Sequence, residues 1–135
     1  MSQTGQSTPL SLRILSIVLV LFGLLAFFGS AFLWGQGFIL QPPEDVALAF
    51  PITDMLVNAP ASIVAAVGLW RLKRYGHRAA YFVAGFYIYA SAYIFVEVAE
   101  GGPPYAVEIV VPQVLAVLAA VALLIVPERY RKQFH

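Results

Sequence analysis

From Ile14 to Trp34 the chain runs for 21 residues without a charge. As a helix at 1.5 Å per residue this run is roughly 31 Å long, which matches a bilayer hydrocarbon core of about 30 Å. Three more apolar runs follow, at about 51–70, 79–98 and 104–126. A chain of 135 residues builds one core, and one core cannot hide four such runs from water. Composition agrees: 11% of residues are charged and mean hydropathy is +0.82, whereas soluble domains carry about 25% charged residues. The expected fold class is an all-α membrane protein, four transmembrane helices in an up-down bundle. Its helices are placed at about 12–34, 51–70, 79–98 and 104–126, after a tail over 1–11 and before a basic tail over 127–135.

The charges orient this bundle. All eight basic residues fall at Arg13, in the turn Arg71–Arg78, or in the tail at Arg129, Arg131 and Lys132. The acids Glu44, Asp45, Asp54, Glu97, Glu100 and Glu108 fall at the opposite ends of the runs, and only Glu128 lies with the basic residues. By the positive-inside rule both termini and the middle turn are cytoplasmic, in a plasma or inner membrane. The first run is too long for a cleaved signal peptide and reads as a retained anchor. There is no cysteine, so disulfides, thiolate metal sites and cysteine nucleophiles are excluded. A net charge of +1 gives no reason to expect a nucleic-acid partner.

Several residues carry local expectations. Ser16, Gly23 and Ser30, spaced by sevens, form a small-residue seam that lets another helix approach closely. Glu44 to Phe50 reads as a short interfacial helix after Pro42-Pro43. Pro60 should kink the second helix, and Pro127 should stop the fourth. Trp70, Tyr75 and Tyr81 read as inner interfacial anchors.

The third run holds Gly85, Tyr89, Tyr93 and Glu97 at spacing four, which is one helical face. The second holds Asp54, Asn58 and Ser62 at the same spacing, and the fourth begins with Glu108, Pro112 and Gln113. Counting from the inner ends puts Asp54, Glu97 and Glu108 roughly 24 to 29 Å up, near the outer interface. Charged groups in hydrocarbon cost at least ~2.5–3.5 kcal/mol near the centre, so they face water, a partner or each other. Three carboxylates with no cation at their level imply a bound cation, a carboxyl that carries a proton, or an open pocket. The helix dipole accommodates Asp54 and Glu108 at helix starts but not Glu97 near a helix end, which singles out Glu97. The expected site is an outward-facing carboxylate and tyrosine pocket of Glu97, Asp54, Glu108, Tyr93, Asn58, Tyr89 and Gln113.

Such a donor set suits a proton, a hard metal cation or an organic ammonium, and it names no cofactor. The first reading is a small transporter- or channel-like protein, a homo-oligomer whose path a second copy helps to complete. A non-catalytic accessory subunit docked on other membrane helices is the second, and an enzyme acting on an apolar or lipid substrate is the third. The bilayer and other membrane helices, from a homo-oligomer or a complex, are the expected partners.

Overall fold

The computed structural model describes residues 7–35, 52–100 and 107–135, with the backbone but not the side chains of Leu33, Glu97, Val107, Glu108 and Ile109. The expected interfacial helix at Glu44–Phe50 and the turn at Gly101–Tyr105 lie outside the described residues. Within them the structure is all-helical, without a strand: α1 (Leu10–Gly35), α2 (Ala59–Trp70), α3 (Arg74–Ala99) and α4 (Val107–Arg129), with a short 3-10 turn at Arg131–Gln133. A π-helical turn, Asp54–Asn58, leads without a break into α2.

Two boundaries differ from the sequence expectation, and the expected disturbance at Pro60 takes the form of a π turn. Pro60 follows that turn without a break in the helix, so its missing N–H leaves a carbonyl of the turn without an α-helical donor. The adjustment appears just upstream, where the Ala59 N–H reaches the Asp54 carbonyl across the π turn. Pro127 does not stop α4, which continues to Arg129. A proline blocks the bond to the carbonyl four residues back but holds a helical φ itself, so a last turn can persist. The third helix begins at Arg74 rather than near residue 79, leaving a turn of only Arg71–Lys73 before it.

That short turn is a Schellman motif. The Lys73 N–H bonds the Gly68 carbonyl at 2.8 Å and the Leu72 N–H bonds the Leu69 carbonyl at 3.2 Å. Leu72 takes the left-handed position at φ 53, where glycine is usual, and its side chain is buried. Beyond it α2 and α3 touch at Gly68 and Gly76. A methyl on either glycine would run into the backbone of the other. The seam on α1 is found as expected: Ser16 and Ser30 are buried, and Gly23 lies against Ala59 and Ser62.

Each helix packs mainly on its neighbours in sequence, α1 on α2, α2 on α3 and α3 on α4, while α1 and α4 meet only sparsely. The ends are tied together. The Thr8 hydroxyl donates to the Trp70 carbonyl at 2.6 Å, bringing the start of α1 to the end of α2. The His135 N–H reaches the Leu72 carbonyl at 2.9 Å, and the Arg74 N–H reaches the His135 carbonyl at 3.3 Å, so the tail after α4 docks on the α2–α3 turn. Neighbouring helices therefore run antiparallel. The apolar core, including Leu12, Leu19, Leu69, Val83, Ala120 and Leu123, sits in the half of the bundle near these tied ends.

Elsewhere the helices present apolar side chains outward, among them Leu21, Phe28, Phe32, Phe82 and Leu118. α1, α3 and α4 are long and apolar enough to cross a membrane, and Asp54–Trp70 is a shorter apolar helix. An apolar groove of about 660 Å³ runs where α1 and α4 part, lined by Ile14, Val18, Leu21, Phe22, Leu115 and Leu118 among others.

Candidate functional site

The polar side chains of the second run lie inside the bundle. On the inward face of the π turn and α2, the Asn58 amide donates to Asp54 Oδ1 at 2.9 Å, and the Ser62 hydroxyl donates to Asn58 Oδ1 at 3.2 Å. Ser62 and the Tyr87 hydroxyl of α3 are 3.0 Å apart. A serine has one proton to give, and Ser62 gives it to Asn58, so Tyr87 is the donor in the last pair. Asn58, Ser62 and Tyr87 are buried, Tyr87 with 3% of its surface exposed. Phe22 of α1 packs on the Tyr87 ring at 5.6 Å.

All the donors point one way, from Tyr87 through Ser62 and Asn58 to Asp54. Each bond polarises the next, and the file ends on a carboxylate that accepts. Asp54 Oδ1 can accept this bond whether or not the carboxyl carries a proton. The file is not a proton wire, because a carboxamide at Asn58 does not take up a proton on one side and release it on the other. Below Tyr87 the same face of α3 continues with Ala84, Val83 and Ala80, so the file is blind toward the tied ends.

A second polar contact lies one turn further along α3. Ser91, fully buried, donates to both Gln113 Oε1 at 3.1 Å and the Gln113 carbonyl at 3.2 Å, joining α3 to α4. Gln113 therefore meets Ser91, and no bond to Asn58 or Asp54 is found for it.

The expected tyrosine stripe is corrected. Tyr89 is 68% exposed, and Gly85 faces open space, with nothing within 4 Å of where a methyl group on it would sit. The face of α3 turned into the bundle is Ala80, Val83, Ala84, Tyr87 and Ser91 instead. Tyr89 thus points away from the other described helices and lines no internal pocket among the described residues. Tyr93 is half-buried. The side chains of Glu97 and Glu108 are not described, so Asp54 is the one acid of the expected trio whose side chain is described. Among the described residues no group of three or more His, Cys, Asp or Glu side chains could hold a metal ion.

The residues that sequence reasoning missed are Tyr87 and Ser91. Small residues at Ala80, Ala84 and Ser91 mark the side of α3 on which neighbours approach, and Tyr87 lies within that set. At the opposite end it also missed a cluster around Glu128, whose carboxylate accepts from Tyr81 at 2.7 Å and meets His77 at 3.2 Å and Arg131 at 3.3 Å. Comparison of the chain with family models, characterised proteins and solved structures gives no match, so the roles of these residues are argued from their geometry.

Proposed function

We propose that this is a small four-span membrane protein that binds a proton or a cation at Asp54, in the outer half of the bundle, as part of a transport-type activity. The observation that carries this reading is the polarised file Tyr87–Ser62–Asn58–Asp54, in which three buried side chains donate in series and the last of them, Asn58, donates to the carboxylate. Its blind inner end supports a binding site rather than a continuous channel. One carboxylate, one amide and hydroxyls suit a proton or a singly charged cation better than a hard divalent ion, which takes six or more oxygens.

Four spans are favoured by the connectivity. The start of α1, the end of α2 and the start of α3 lie at one end of the bundle. If α1 and α3 both cross the membrane, the chain must return between them, and α2 with its π turn is the described segment that does so. By the positive-inside rule the basic turn and tail assign that end, with both terminal segments, to the cytoplasmic side. The helical domain over 12–126 and the flanking tails over 1–11 and 127–135 form the corresponding domain division.

The reading is tested in proteoliposomes with a pH-sensitive dye inside and potassium or sodium gradients imposed. Wild-type vesicles are expected to show cation-linked proton movement that Asp54→Asn reduces at least tenfold and Tyr87→Phe reduces less. Equal movement in wild type, both variants and empty vesicles overturns it. The accessory-subunit reading rests on a different observation, the apolar groove between α1 and α4, which would admit helices of a partner. It gains if the protein is inactive alone and co-purifies in fixed stoichiometry with another membrane protein.

A further inference from the structure

The end of the bundle that carries the terminal segments holds a second cavity, unrelated to the polar file. It measures about 530 Å³ and is lined by Arg74, His77, Arg78, Tyr81, Arg131, Lys132 and Phe134. The first four form a single row on α3, at spacings of three and four residues over its first two turns. The last three come from the 3-10 turn and the residues after it. The two walls are held in place. Phe134 is buried and its ring lies 5.1 Å from that of His77, while the His135 backbone bonds both Leu72 and Arg74.

The charge in this cavity is one-sided. Arg74, Arg78, Arg131 and Lys132 bring four cations to it. Among the described residues the side-chain carboxylate at its edge is Glu128, which pairs with His77 and Arg131 and accepts from Tyr81. Arg74, Arg78 and Lys132 are exposed and make no ion pair among the described residues. An anion held between three like charges lowers their mutual repulsion beyond what solvent screening does. Arginine forks match phosphate oxygens bidentately, and the Lys132 ammonium supplies a further point charge.

We propose that this cavity binds a phosphate group, with the head group of an anionic phospholipid and free phosphate as its two sources. Exposed Trp70 and Tyr75 at the same end are side chains that favour the membrane interface, which brings lipid phosphates to the level of the cavity. The lipid source rests on the four-span orientation proposed above, whereas the phosphate site itself does not. Arg74, Arg78 and Lys132 take the phosphate oxygens, and Phe134 closes the wall that positions Lys132. Glu128 keeps Arg131 and Tyr81 in place from the edge.

The test uses the full-length protein purified in a neutral detergent, followed by its thermal unfolding midpoint and by native mass spectrometry. Three additions are compared: phosphatidylglycerol, phosphatidylcholine and inorganic phosphate. The expected result is a midpoint raised by several degrees and a retained adduct with phosphatidylglycerol but not with phosphatidylcholine. Arg78→Gln combined with Lys132→Gln is expected to weaken this at least tenfold, and Arg74→Gln alone to weaken it less. Arg71→Gln combined with Lys73→Gln, two cations in the adjacent turn but outside the cavity, should leave it unchanged. A response to inorganic phosphate with the same dependence on the variants supports the site with free phosphate as its source. Equal losses in the two double variants would show diffuse attraction and overturn the site, as would no response to either anionic addition. Loss of flux through Asp54→Asn leaves this result untouched, so the two proposals fail separately.

Discussion

Gly68 and Gly76 meet backbone to backbone, so a methyl at either position forces the α2–α3 pair apart. Overpacking of this kind costs about 1–3 kcal/mol or more. Gly85, on the same helix as Gly76, has open space around it. Gly76→Ala is therefore expected to lower the thermal midpoint in detergent by many degrees. Gly85→Ala should leave it level or raise it, since alanine gains up to about 1 kcal/mol over glycine in a helix. Equal midpoints for the two variants would show that the crossing is not tight. The Ser62–Tyr87 bond joins the same two helices, but interhelical hydrogen bonds in membranes average only about 0.6 kcal/mol. Ser62→Ala should thus cost well under half of what Gly76→Ala costs, measured side by side. The two tyrosines of α3 show how far a single residue can be read from its spacing. Tyr89 belongs to a repeating aromatic face, yet a large phenol tolerates contact with lipid. Tyr87 is buried because the residues around it are small enough to admit a neighbour.

The helices are legible in the sequence because length and hydropathy set them, and their ends are not. Pro60 and Pro127 are visible as breaks in a pattern, but what a proline does depends on which turn it occupies. Pro60 lies inside a continuous helix and the π turn forms ahead of it. That π turn sets the angular position of Asp54 relative to the rest of α2. Pro60→Ala restores an N–H and allows an ordinary α-helical bond to form across the turn. The expected outcome is a gain in stability with a loss of cation-linked transport, because Asp54, still one turn from Asn58, shifts relative to the α3 face that Ser62 meets. Raised or unchanged transport in Pro60→Ala would separate the π turn from the site. The start of α3 is hidden because a run of arginines reads as a loop. Here a helix start carries them, and their spacing along it is what builds the basic cavity.

The direction proposed for each helix rests on the distribution of charge, and the described ends meet at the basic side. Thr8, Trp70, Leu72, Arg74 and His135 all meet at the basic end. The chain is free of cysteine, so single introduced cysteines report sidedness without background. In sealed cells, Glu100→Cys is expected to react with a membrane-impermeant maleimide and Gln133→Cys only after the membrane is opened. The reverse pattern would invert the orientation and remove the outward direction of Asp54. The location of Asp54 is legible from its spacing with Asn58 and Ser62. The route from there to Tyr87 is not, because it depends on how two helices rotate about their own axes.

The sparse contact between α1 and α4 bears on biogenesis. Among the described residues every substantial interface joins helices adjacent in sequence, so each can dock on its predecessor as it leaves the ribosome. Assembly need not wait for a distant partner, and the low separation of its contacts favours rapid folding. Phe134 and His135 then seat on the turn made far earlier, which fastens the segment after α4 to the α2–α3 turn.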